Sequence, residues 1–182
     1  EAFVDKLKAI VSTYKVGDGM DSDSTHGPVI TRKALEDIKE LVDDAVANGA
    51  TVAAGGEFSS AGAQFVEPTI LCDVNDGMRI FKEEIFGPIA PIFKFSTEEE
   101  AIAMANDTDY GLANSVWTTN EDRAARVAEA MIAGNSWINA HNVFAQGVPY
   151  GGVNKSGVGG GVLSIETLMD YYRSTSVVRP LG

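Results

Sequence analysis

An α/β fold, a mostly parallel twisted sheet flanked by helices, is predicted by three features of this sequence. Short apolar runs of strand length alternate with amphipathic stretches, and capping residues or glycines stand at the junctions. Phe3, Val4, Leu7, Ile10 and Val11 recur at helical spacing until Gly17 and Gly19 break the pattern. Thr31 then caps a second helix, with Leu35, Ile38, Leu41, Val42, Ala45 and Val46 on one face, ending at Asn48-Gly49. Strands are expected at 50–54 and 65–71, where Pro68 argues for an edge or irregular position, and at 89–95. Ser96 or Thr97 caps the next helix in a capping-box pattern with Glu99 or Glu100. Strand 115–118, helix 120–132 and strand 136–139 repeat the alternation. From His141 to Gly161 the chain is glycine-rich without helical period and reads as a long loop. A last helix over 164–172 leads to the β-prone tail Ser176-Val177-Val178. No internal repeat or low-complexity linker marks a domain boundary.

Composition narrows the function classes. A domain of 182 residues can bury roughly 70% of its unfolded surface, enough for a real core. With 45% hydrophobic and 22% charged residues, the chain is globular rather than disordered or fibrous. A net charge of -12 and only 14 Lys and Arg disfavour nucleic acid as a partner. One cysteine excludes an internal disulfide and, with two histidines, a zinc site of the CxxC type. A reducing, cytoplasmic setting is expected. No apolar run reaches the roughly 18 residues of a membrane span, so no membrane role is expected. The sequence opens in mid-helix without methionine, which suggests a piece of something longer.

Three tempting constellations fail on spacing. Asp18, Asp21 and Asp23 resemble a calcium loop, but from Asp21 the sixth position is His26 instead of Gly and the twelfth is Arg32 instead of Glu. Gly151-Gly152-Val153-Asn154-Lys155-Ser156 resembles a phosphate loop with Asn where Gly is required. Gly157 to Gly161 lacks the last glycine of a dinucleotide fingerprint, Val162 standing there. No metal site is expected. Cys72 ends an apolar run and reads as a small hydrophobe rather than a nucleophile. His26 and His141 read as loop residues.

Five motifs in order carry a resemblance. Glu67-Pro68-Thr69-Ile70-Leu71, Glu83-Glu84-Ile85-Phe86-Gly87-Pro88, Asn106-Asp107-Thr108-Asp109-Tyr110-Gly111-Leu112, Gly134-Asn135-Ser136-Trp137-Ile138-Asn139 and Pro149-Tyr150-Gly151-Gly152 are similar, in order and spacing, to the aldehyde dehydrogenase superfamily. The likeness covers essentially the whole chain and implies the family's C-terminal, catalytic-domain portion. Residues 1–170 are then a partial catalytic domain. Residues 171–182 are an oligomerisation tail whose strand joins a neighbouring subunit, implying a homo-oligomer, dimer or tetramer. The implied activity is NAD- or NADP-dependent oxidation of an aldehyde to a carboxylic acid through a cysteine thiohemiacetal and thioester. The nucleophilic Cys, the general-base Glu, the oxyanion Asn and the glycine-containing cofactor fold lie upstream in that family. No catalytic residue is therefore expected in this chain, which should be inactive alone.

Residue by residue, the resemblance places Glu84 on the carboxylate that receives the two hydroxyls of the nicotinamide ribose, and Phe86 against the same ribose and nicotinamide. A carboxylate suits a vicinal diol because it accepts two charge-assisted hydrogen bonds. Asn139, Phe144 and Tyr150 fall where the family lines the aldehyde tunnel, and aromatic walls exclude water and grip an apolar tail. After Ser156-Gly157-Val158-Gly159 many relatives carry Arg-Glu where this chain has Gly160-Gly161, so the proton-relay role assigned to that acid does not carry over. The alternative class is a non-catalytic assembly or binding module that keeps the fold.

Overall fold

The computed structural model describes residues 1–58, 64–158 and 161–181. They form two compact units, Glu1–Phe95 and Ser96–Gly182.

In the first unit, α1 (Ala2–Val11) lies against β1 (Thr51–Ala54). The secure helix is α2 (Arg32–Ala47), with the Ala34 amide donating to Thr31 Oγ1 at 3.1 Å as the cap predicts. Its buried face, Ile38, Leu41, Val42 and Ala45, is the middle of the stripe read from the sequence, with Leu35 half-buried and Val46 exposed. Strand β2 (Thr69–Cys72) pairs antiparallel with β1 and parallel with β3 (Ile89–Pro91). Both apolar runs give shorter strands than expected. Proline has no N–H for a ladder, so β2 starts only after Pro68, whereas Pro91 is itself paired with Leu71 and the Ile92 amide beyond it still donates to Leu71 O at 2.8 Å. The core joins Ile38, Val42 and Ala45 of α2 to Val66, Leu71, Met78, Ile80 and Ile89. Thr69 is the one buried polar residue among those described, and its hydroxyl donates to Glu67 O at 2.7 Å and accepts from the Gly56 amide at 2.9 Å. Its burial therefore leaves no orphaned group.

Cys72 lies half-buried at the end of β2 rather than inside the core, opposite Thr51. Asp18 and Asp21 accept the amides of Met20 and Asp23 at 2.9 and 3.0 Å, the polar turn that the failed calcium spacing left. Among the described residues no three His, Cys, Asp or Glu side chains could hold a metal, and no helix is long and apolar enough to cross a membrane.

In the second unit, Thr97 caps α4 (Glu98–Asn106) by accepting the Glu100 amide at 3.1 Å, while Glu100 Oε2 accepts the Ser96 amide at 2.6 Å. The box thus closes on Ser96 instead of the capping residue itself. Strands β4 (Ala113–Val116) and β5 (Asn135–Ile138) are parallel and joined by α5 (Glu121–Ala130), whose Ala124 and Val127 are buried. Asn106 ties the helices together, donating to Ala130 O and accepting from the Ile132 amide, both at 2.8 Å. Glu98 accepts from Arg126 and Arg123, and the Arg126 hydrogen bonds hold its carboxyl below the usual range. The last helix shrinks to α6 (Glu166–Met169). Residues 173–181 form no strand with any described residue of the same chain, and Val177 and Val178 are exposed. Strand propensity without a neighbouring edge makes no ladder.

Candidate functional site

In the first unit the candidate residues sit on one turn. A short helix, α3 (Arg79–Lys82), precedes it and was invisible to periodicity because it has only one turn. Arg79 Nε and NH2 donate to the two oxygens of Glu83 at 2.6 and 2.9 Å, and NH1 reaches Glu40 of α2 at 2.7 Å. The Arg79 hydrogen bonds depress the Glu83 carboxyl pKa, and Glu83 and Glu40 raise that of the guanidinium. Ile85 packs on the core, and Pro88 O accepts the Thr69 amide at 2.8 Å, which leads the chain into β3. The turn is thus pinned at Glu83, Ile85 and Pro88.

Between those pins stand Glu84 and Phe86. Glu84 is exposed and makes no hydrogen bond or ion pair among the described residues. Phe86 is 79% exposed and has a φ of 51°. A left-handed conformation costs a non-glycine residue about 1–2 kcal/mol, and an aromatic ring held out in water recovers none of it by burial. Strain of this kind marks sites where the fold holds a group ready for something else. Phe86→Gly is accordingly expected to stabilise the first unit by about 1 kcal/mol net, the relieved strain exceeding the added unfolded-chain entropy. Urea unfolding measures it, and a destabilised variant would mean that the ring is packed.

The second unit gathers an aromatic cluster. Trp137 of β5 donates its indole N–H to Val143 O at 2.8 Å, folding the loop back over the strand. Phe144 and Tyr150 meet edge to face at 4.9 Å between centroids, and Trp137 stacks near Tyr150 at 6.2 Å with 26° between planes. Phe144 and Tyr150 are therefore brought together, with Phe144 still half exposed. Asn139 is not in the ring cluster. Its φ is 49°, its Oδ1 accepts the Thr118 amide and its Nδ2 donates to Thr118 O, both at 2.9 Å. Its amide copies a backbone rung and continues the β4–β5 ladder by one step.

His141 joins the cluster unannounced by the sequence reading. Its ring lies 5.4 Å from that of Trp137, and Nδ1 is 2.9 Å from Ser115 Oγ on β4. Gly160 lies outside the described residues. Gly161 has a φ of 93°, and a Cβ there would stand 2.6 Å from Tyr150 O, so this backbone has no room for the acid common among relatives.

The family model for the aldehyde dehydrogenase family matches residues 1–177. The chain is 43% identical over 159 residues to glutarate-semialdehyde dehydrogenase of Pseudomonas aeruginosa, covering 87% of this chain and 33% of that protein. Its structure is similar to betaine aldehyde dehydrogenase of Staphylococcus aureus in complex with NAD+, with a TM-score of 0.85 and 38% identity over 93% of this chain and 34% of that one. Succinate-semialdehyde dehydrogenase of Burkholderia pseudomallei matches with a TM-score of 0.82 and 44% identity, over 87% of this chain and 33% of that one. The chain spans about a third of the length of these relatives. With the match running over 177 residues and the fold shared at these identities, this chain belongs to the aldehyde dehydrogenase family.

Proposed function

We propose that this chain is part of an NAD(P)-dependent aldehyde dehydrogenase that oxidises an aldehyde to a carboxylic acid through a cysteine thiohemiacetal and thioester, the thiol being supplied by polypeptide outside these residues. The observation that carries the reading is the turn at 84–86, where an uncommitted carboxylate stands two residues from an exposed aromatic held in a strained conformation. These residues fit a nucleoside: Glu84 accepts from a ribose diol and Phe86 lies against the sugar and ring. NAD or NADP, when bound, supplies the electron acceptor for the oxidation. Glu84 orients, at about 1.5–3 kcal/mol per charge-assisted hydrogen bond, while Phe86 excludes water from the same place.

Phe144 and Tyr150, backed by Trp137, form the aldehyde wall. Asn139 acts there by fixing the end of β5, since its amide is engaged with Thr118. The tail, residues 171–182, has exposed Tyr171, Tyr172, Val177 and Val178, a composition suited to pairing with a second subunit of a cytoplasmic homo-oligomer.

The test is a chimera in which this chain replaces the matched third of the Pseudomonas aeruginosa enzyme. The folded chimera is expected to reduce NAD or NADP when given an aldehyde, read as absorbance of the reduced cofactor. A folded chimera without turnover across a panel of aldehydes would contradict the reading and favour a non-catalytic module.

A further inference from the structure

The segment that follows Tyr150 is held by a latch that the aromatic cluster alone does not explain. Gly111 and its neighbours grip it at four points. The amides of Val153 and Lys155 donate to Gly111 O and Asp109 O at 3.0 and 2.9 Å. The Gly111 amide donates to Ser156 Oγ at 3.0 Å, and Lys155 Nζ lies 2.6 Å from Asp109 Oδ2, a pairing that raises the lysine pKa. Asn154, between the gripped residues, has a φ of 54°, a conformation that the surrounding bonds must enforce. Gly134, just before β5, lies so close that a Cβ there would stand 1.7 Å from Gly151 O. Only glycine lets the two backbones meet. Tyr150 is the residue immediately before this clamp, and its amide and carbonyl bond Val162 at 2.9 and 2.8 Å.

We infer that Ser156 and the Lys155–Asp109 pair are positioning residues that set Tyr150 against Trp137 and Phe144, and so fix the width of the aldehyde wall. The inference rests on the proposed reading of Tyr150 as part of that wall. Ser156 matters more than the ion pair. Its hydroxyl satisfies a part-buried amide, whereas Lys155 and Asp109 are both well exposed and their attraction is screened by salt.

The experiment uses two readouts. Trp117 is 67% exposed, and replacing it with Phe leaves Trp137 as the only indole. In that background, near-UV circular dichroism and fluorescence of the 182-residue chain report the Trp137–Tyr150 arrangement. Ser156→Ala is expected to lose most of the near-UV signal with the far-UV spectrum kept, and Lys155→Met to lose less, with an effect that high salt reproduces in the parent. In the chimera the same Ser156→Ala change is expected to raise the aldehyde KM about tenfold while kcat changes little, as for lost positioning. Unchanged near-UV signals in both variants would overturn the latch. A lost signal with an unchanged KM would keep the latch and overturn the aldehyde wall, which separates the two failures. Should Ser156→Ala not fold, Lys155→Met decides through the same pair of measurements.

Discussion

Given NAD or NADP and any aldehyde, the isolated 182-residue chain is expected to produce no reduced cofactor, a deficit on the order of 10⁶ against the chimera, the loss typical of a deleted nucleophile. The reason is the setting of its single thiol. A cysteine attacks as a thiolate and needs a base, a cation or a helix N-terminus to become one at neutral pH. Cys72 has none of these in hydrogen-bonding contact among the described residues. It ends β2 opposite Thr51, and the Thr51 hydroxyl donates to Asp73 at 3.0 Å, whose carboxylate is held below its ordinary pKa by Lys94 and Thr51. The histidines are committed elsewhere, His26 to Tyr14 and Thr25 and His141 to Trp137 and Ser115. Following absorbance of the reduced cofactor checks this, with Cys72→Ser made in parallel. Turnover by the isolated chain that disappears with Cys72→Ser would make Cys72 the nucleophile and overturn the assignment of the thiol to other polypeptide.

Local signals were legible in the sequence where a single element carries its own punctuation. Thr31 and Asn48-Gly49 bounded α2 correctly, and the Thr97–Glu100 pattern found the start of α4, because caps act within three residues of the groups they satisfy. Strand limits were less legible. Apolar runs such as 89–95 show which residues can be buried, but the length of the ladder depends on the strand beside it. The tail stretch Ser176-Val177-Val178 has strand propensity and no strand, since pairing is a property of two segments.

For the candidate site, the resemblance named Glu84, Phe86, Asn139, Phe144 and Tyr150, and the structure sets the first two on one turn and Phe144 and Tyr150 in one ring cluster. The sequence did not show that Arg79 bonds Glu83 and not its neighbour Glu84, because the place of that guanidinium is fixed by the fold. Nor could it recruit His141, whose partner Ser115 is 26 residues away across the β4–β5 ladder. Asn139 is the instructive case. The residue was legible, but its amide serves Thr118, so its effect on the site passes through backbone.

That contrast between neighbouring glutamates yields the second large effect. Glu84→Gln in the chimera keeps the size of the side chain but would weaken the two charge-assisted hydrogen bonds proposed to the ribose, and kcat/KM for the cofactor is expected to fall on the order of 100-fold. Glu83→Gln removes the carboxylate that Arg79 holds, so its cost belongs to the stability of the turn. The most direct measurement is calorimetric titration of NAD, and of NADP, into the folded chimera and both variants. Weakened binding in Glu84→Gln with near-parental binding in Glu83→Gln is the result expected of a carboxylate that receives the ribose. Equal affinity in the parent and Glu84→Gln for both cofactors would contradict it.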